Sequence, residues 1–147
     1  MQKNNELNWR TKYDTQTKVN QLAYEIVGSA IEVHKIMKPG LLESVYEACL
    51  HRELTLRGYK VKRQGKVEID YKGFHIDSDY RFDLLVEDCV VVELKATENM
   101  HPIYDAQVMS HMRLLKKPKG LLINFHVEKL TEGLTPFVNE FFAMLPK

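Results

Sequence analysis

Charged residues interrupt a segment that otherwise has the pattern of a buried β-strand. Residues 90–96 read VVVELKA, and Glu93 and Lys95 project from the same face because side chains alternate along a strand. A run this apolar is typical of a strand that is covered on both faces. Removing ions from water costs several kcal/mol, and a lone ion pair regains this only with good geometry. The segment therefore indicates either a cation-binding site or a strand whose end reaches the surface.

Asp83 lies in the preceding candidate strand, YRFDLLV at residues 80–86, and the turn between the two strands decides whether it meets Glu93. A two-residue turn would direct the two carboxylates to opposite faces of the sheet. A three-residue loop over residues 87–89 would place Asp83 directly opposite Glu93. A metal site built on these carboxylates therefore predicts the three-residue loop or an equivalent bulge, and a two-residue turn would exclude it.

Two further polar residues fall on the apolar arcs of predicted helices. At about 100° per residue, Glu43 lies between Leu50 and Leu54 on the second helix, where a carboxylate needs a partner. Because Glu53 shares that arc, two salt-bridged helix acids are the structural alternative. Gln107 lies on the corresponding arc of the third helix, where a hydrogen-bonded core glutamine is the ordinary interpretation.

The elements that must position these residues follow from apolar periodicity and from turn residues. Residues 1–20 lack clear periodicity, so we expect a tail there and a single domain over residues 21–147. Helices are predicted at residues 21–37, 41–57 and 102–116, with a weaker terminal helix at 133–145. Three antiparallel strands are predicted between residues 59 and 94, and a short apolar strand at 121–125. The fold class is therefore α/β (α+β).

The overall charge does not by itself indicate a nucleic-acid partner. Lys plus Arg is 21 and Asp plus Glu is 20, which leaves a net charge of +1. Local runs are more basic: residues 57–66 contain five cations and no acid, and a second cluster holds Lys116, Lys117 and Lys119. Either run could contact phosphates, and solvated strand and loop edges are the alternative.

Other sequence features limit the compartment and the cofactor class. The polar N-terminal segment has no apolar core of a signal peptide, and no run approaches the ~18 apolar residues that a membrane span needs. We therefore expect a cytoplasmic protein. Cys49 and Cys89 lack the spacing of metal ligands, so neither a disulfide nor a zinc site is expected.

Taken in order, these residues resemble a known pattern. GLLESVY at residues 40–46, then Asp83, ELK at residues 93–95 and Gln107 resemble the GxxExxY family of the PD-(D/E)XK nuclease superfamily, on its RecB-like branch. The resemblance extends over roughly residues 24–125. It implies a restriction-endonuclease-like core, in which helices flank a central mixed sheet of about four strands.

The resemblance also implies a reaction and a role for each residue. Asp83 and Glu93 would be metal ligands with Glu43 as a helix-borne third acid, Lys95 would be the catalytic lysine, and Gln107 an accessory glutamine. The cofactor would be Mg²⁺ (or Mn²⁺), and the activity metal-dependent hydrolysis of phosphodiester bonds in DNA or RNA. A nuclease-fold module with weak or no catalysis, binding nucleic acid or protein, is the alternative. A structural domain that acts as a homodimer is a third option.

This sequence departs from the RecB-like pattern at one position that bears on substrate binding. Members often carry a tyrosine four residues after the glutamine, and His111 occupies that position here. A phosphate contact is one role for this histidine. The other candidate substrate contacts are Lys62, Arg63, Lys116 and Lys117.

Overall fold

Residues 8–147 are described by a computed structural model, and they alternate between helices and short strands. The helices are α1 (Trp9–Lys12), α2 (Gln16–Met37), α3 (Glu43–Leu56), α4 (Pro102–Leu115) and α5 (Glu140–Ala143), with a 3₁₀ turn at Leu130–Gly133. The strands are β1 (Val61–Arg63), β2 (Ile69–Tyr71), β3 (Phe74–Ile76), β4 (Leu84–Val86), β5 (Val90–Lys95), β6 (Lys119–Asn124) and β7 (Leu134–Val138). No helix in this part of the chain is long and apolar enough to cross a membrane.

The main sheet is mixed and lies between two layers of helices. Its strand order is β1-β4-β5-β6-β7, with β5 and β6 parallel and the other neighbours antiparallel. One face packs its apolar side chains against α2 and α3, and the other packs against α4, the crossover between the parallel strands. The predicted class, a mixed sheet flanked by helices, is confirmed, with five strands in place of about four.

The N-terminal segment contributes to the core from residue 9 onwards. Thr15 caps α2 by accepting a hydrogen bond from the N–H of Lys18, so this helix begins at Gln16 and not at residue 21. Trp9 and Tyr13 are buried in the main core cluster. Residues 9–20 are therefore packed, whereas the predicted tail included them. Residues 1–7, the rest of that tail, lie outside the described residues.

The predicted three-strand meander is wrong in its middle part. β2 and β3 form a separate two-stranded hairpin, and β1 pairs directly with β4. β1 ends at an irregular step, where Gln64 has a left-handed φ of 53° and Gly65 lies against the ring of Phe82. Antiparallel pairing continues beyond this step as a bridge between Lys66 and Arg81, before the separate hairpin begins. A Cβ on that glycine would lie 2.0 Å from the ring, so only glycine fits there.

The predicted terminal helix over residues 133–145 is also wrong. Its first half is the edge strand β7, which pairs with β6, and only Glu140–Ala143 is helical. Pro136 has no N–H to donate, which an edge strand tolerates. The Asn139 side chain accepts hydrogen bonds from the N–H groups of residues 141 and 142, so the helix begins only after this cap.

Candidate acidic site at the end of the central strand

The turn between β4 and β5 has the three-residue form that the sequence predicted. Val86 pairs with Val90, so residues 87–89 form the loop. In the same register Asp83, one residue before β4, lies opposite Glu93. Two loop residues adopt left-handed φ values of 54° and 53°, which allows the chain to reverse within a short loop. The predicted register of the two carboxylates is therefore confirmed.

Asp83 and Glu93 are neighbouring carboxyl groups within the protein. Asp83 Oδ2 accepts a hydrogen bond from the N–H of Leu94 at 2.8 Å, and the two carboxyl groups contact each other. Burial, followed by the Asp83 charge, raises the pKa of Glu93 well above its usual range. Burial also raises the pKa of Asp83, against the opposing hydrogen bond from Leu94. Two such groups ionise together only when a positive charge lies beside them.

Lys95 projects from the same face of β5 as Glu93. Its Nζ lies 4.4 Å from the centre of the Tyr104 ring on α4, in cation–π geometry. Within residues 8–147 it forms no ion pair, although its charge is close enough to lower the pKa values of both Asp83 and Glu93. The ammonium is therefore positioned by an aromatic ring, beside the carboxylates.

The N-terminus of α3 brings a third acid towards this pair. Glu43 is the first residue of α3 and is half-buried. Burial raises its pKa, while the charge of Lys95 opposes that shift and the charge of Asp83 adds to it. Glu43 therefore lies within electrostatic range of the site. Glu53, the other acid of the predicted arc, pairs with Arg57 one turn later, as the structural alternative expected for it.

Two residues near Asp83 were missed by sequence reasoning. Glu47 is 5% exposed and accepts hydrogen bonds from Arg63 Nε at 2.7 Å and from Gln64 Nε2 at 2.6 Å. The same Gln64 amide lies 3.3 Å from Asp83 Oδ1. Glu47 had a signal, because it follows Glu43 by four residues and shares a helix face with Leu50. Gln64 had none, because its position depends on the left-handed turn after β1.

α4 places His111, and not Gln107, against the acid pair. His111 is 3% exposed, and its Nδ1 lies 2.5 Å from Glu93 Oε1. The imidazole is enclosed, and its contact with a phosphate stays a prediction. Gln107 is exposed, so its predicted place on a core-facing arc is wrong; Val108 and Met112 fill that face with His111. Gln107 lies one helical turn before His111 on α4, and its side chain is exposed to solvent.

The four basic candidates lie near opposite ends of the strands. Lys62 and Arg63 are on β1, near the site, because the N–H of the next residue, Gln64, donates to the carbonyl of Asp83. Lys116 and Lys117 lie near the other end, where Lys117 Nζ pairs with Asp88 Oδ1 at 2.9 Å. The five residue steps of β5 span roughly 16 Å. Lys116 and Lys117 are therefore distant from the acid pair, and their contact with phosphates of a substrate stays a prediction.

The carboxylates of the site form part of a ligand set that suits a hard divalent cation. Asp83 and Glu93 offer oxygen donors that need a compensating positive charge, and Mg²⁺ binds through one or two carboxylates while keeping several waters. Among residues 8–147, no three His, Cys, Asp or Glu side chains converge as a complete metal shell. The residues therefore fit a cation held by two carboxylates, with water and substrate as the other ligands.

The fold and the site together define a class of protein: a mixed sheet between helices, with a Glu-x-Lys at the carboxyl end of its central strand and an Asp beside it on the neighbouring strand. A family model described as the PD-(D/E)XK nuclease superfamily matches residues 20–136. The chain belongs to this superfamily. The comparisons with curated proteins and with solved structures found no significant match.

Proposed function

We propose that this protein is a metal-dependent nuclease that hydrolyses phosphodiester bonds of DNA or RNA with Mg²⁺ or Mn²⁺. The observation that carries the proposal is the register that sets Asp83 against Glu93, with Lys95 on the same face. Within the superfamily, we assign the chain to the GxxExxY family on the RecB-like branch, because GLLESVY at residues 40–46 places Glu43 near this site.

The roles follow from the contacts of each side chain. Asp83 and Glu93 would hold the cation, with the N–H of Leu94 fixing one oxygen of Asp83. Glu43 would assist directly or through water. A bound Mg²⁺ supplies positive charge to the phosphoryl oxygens and lowers the pKa of a water nucleophile. Lys95, held over Tyr104, would orient that water or stabilise charge developing on the phosphate.

The substrate would approach from the end of the strands that carries these groups. Gln107 is exposed on α4, one helical turn before His111, and keeps its proposed role as an accessory residue that contacts nucleic acid. Lys62 and Arg63 lie near the same end and would contact phosphates beyond the cleaved one. The cytoplasmic location and a homodimer remain parts of the proposal, which cell fractionation and light scattering test separately.

The deciding experiment separates metal binding from cleavage. We expect Asp83→Ala and Glu93→Ala to lose Mn²⁺ binding in calorimetry, and Lys95→Ala to retain it. All three should lose at least about 100-fold in cleavage of labelled DNA or RNA, because the charge stabilisation at the phosphate disappears. Asp79→Ala is the matched control, since that carboxylate is 90% exposed on the segment before Asp83.

Each outcome discriminates between the two candidate functions. Cleavage that persists unchanged in all three variants would refute the assigned mechanism. A wild-type chain that binds nucleic acid but shows no metal-dependent cleavage would support the alternative, a nuclease-fold module that binds without turnover.

A further inference from the structure

The buried side chain of His111 contacts the carboxylate of Glu93. Its Nδ1 lies 2.5 Å from Glu93 Oε1, and its ring packs against Tyr80 with 4.5 Å between the ring centres. Its other nitrogen, Nε2, is buried without a hydrogen-bond partner in the part of the chain that the structure describes. The only polar contact that the structure gives this side chain, within residues 8–147, is therefore the one to Glu93.

Stability alone does not account for an imidazole at this position. A buried polar atom without a partner costs about 1–3 kcal/mol. A phenylalanine could pack against Tyr80 and the sheet without that cost. The contact to Glu93 is what an apolar ring could not provide, so the histidine is best explained by what it does to this carboxylate.

We propose that His111 is a positioning residue, which fixes the Glu93 carboxylate in the orientation that binds the metal. The imidazole holds Oε1, and the carboxylate fixed in this way would hold the cation together with Asp83. α4 supplies a rigid support, because Val108 and Met112 pack the same helix face into the core on the sheet. The inference rests on the proposed metal-dependent function. It changes the role of His111 from a substrate contact to a support for a ligand.

The test compares two substitutions that differ in the nitrogen they keep. His111→Phe keeps a ring against Tyr80 but removes the donor, whereas His111→Asn keeps an amide nitrogen near the position of Nδ1. Partners that orient a metal ligand typically contribute 10–100-fold in affinity. We expect His111→Phe to weaken Mn²⁺ binding by roughly that factor and His111→Asn to restore most of it. Met109→Ala, at an exposed position of α4, is the control.

Mn²⁺ affinity is measured on the full chain without nucleic acid, by calorimetry and by the free Mn²⁺ signal in electron paramagnetic resonance. Thermal unfolding in EDTA checks that each variant folds, and His111→Leu replaces His111→Phe if the latter does not fold. A second readout is cleavage as a function of Mn²⁺ concentration. A positioning role predicts that cleavage by His111→Phe recovers at high Mn²⁺.

The possible results separate this inference from the function on which it rests. If Glu93→Ala loses Mn²⁺ binding but His111→Phe binds as the wild type does, only the positioning role is refuted. Equal losses in His111→Phe and His111→Asn would also refute it, because packing would then be what matters. A folded wild-type chain that binds no Mn²⁺ would overturn the proposed function and this inference together.

Discussion

Two buried glutamates on one hairpin have opposite pKa shifts, and the difference distinguishes a structural acid from a site acid. Glu87 and Glu93 are 3% and 8% exposed. Burial tends to raise the pKa of Glu87, but hydrogen bonds from the N–H of Lys60, from Lys12 and from Tyr13 outweigh it and leave the pKa lowered. Burial, followed by the charge of the neighbouring Asp83, raises the pKa of Glu93. The two glutamates therefore differ in their neighbours and not in their burial.

Because its folded-state pKa is depressed, Glu87 stabilises the protein above its unfolded pKa, and this contribution is lost as the pH falls through the folded value. We expect Glu87→Gln to lower the free energy of unfolding at pH 7 by roughly 1.5–3 kcal/mol, the value of hydrogen bonds to a charged group. The difference from the wild type should shrink as the pH falls from about 4.3, the usual pKa of glutamate, through the lowered pKa of the folded protein. Urea unfolding at pH 7 and at an acid pH below that folded-state pKa measures it.

Glu68→Gln is the control for this pH dependence, because that side chain is 67% exposed. It should change the free energy of unfolding little at either pH. A Glu87→Gln variant that matches the wild type at pH 7, or whose deficit grows towards acid, would contradict the assigned role of Glu87.

At the level of elements, the distance between α4 and β6 decides how the helix presents His111 and Tyr104 to the sheet. Gly120 lies on β6 directly beneath α4, and a Cβ there would lie 2.6 Å from Met112 Sδ and 2.7 Å from Val108 Cγ1. Met112 is flexible, but the branched Val108 has little freedom to move. The close approach of helix and strand therefore requires glycine at this position.

We expect Gly120→Ala to destabilise the fold by about 1–3 kcal/mol, the usual cost of overpacking a core. Gly28→Ala is the matched comparison inside α2, where the nearest neighbouring atom would be Arg57 Nη1 at 3.7 Å. Alanine in a helix interior removes the conformational entropy cost of glycine, so Gly28→Ala should stabilise by roughly 0.5–1 kcal/mol. Urea unfolding gives both values, and similar effects of the two substitutions would refute this packing argument.

At the scale of the whole molecule, the two ends of the strands differ in chemistry while the net charge is only +1. Asp83 and Lys95 lie at one end, and the loop between α2 and α3 lies at the same end, since Glu43 begins α3 there. Lys38 ends α2 beside this loop. Lys116 ends α4 at the opposite end. Attraction of a polyanion should therefore depend on the end that it approaches, not on the total charge.

Lys38 and Lys116 form a matched pair for testing this asymmetry, because both are exposed helix C-caps with positive φ. We expect Lys38→Glu to weaken binding of a labelled oligonucleotide by roughly two- to ten-fold at low salt, with a smaller effect at high salt. Lys116→Glu should leave the affinity unchanged. Fluorescence anisotropy with Ca²⁺ in place of Mg²⁺ measures both, and equal losses would exclude this direction of approach.

Local sequence patterns predicted the fold class and the charged residues of the candidate site, but not the residues that surround them. The charged residues Asp83, Glu93 and Lys95 could be found because a charge is unusual in or beside an apolar strand. Helix ends such as Gly58, with its φ of 92°, could be found because turn chemistry is local. The exposure of Gln107 could not, because the arc of α4 that meets the sheet depends on how the helix packs.

By itself, the sequence determined the fold class, the three-residue loop as a condition on the site, and the presence of charged residues in and beside an apolar strand. Tertiary structure alone decided that β7 is a strand. It is a strand because it pairs with β6, and this pairing cannot be read from the periodicity of residues 134–138. Tertiary structure also decided that Gln64 and His111 surround the carboxylates and that Lys116 does not. Periodicity depends on neighbours along the chain, whereas these contacts depend on how separate elements meet in space.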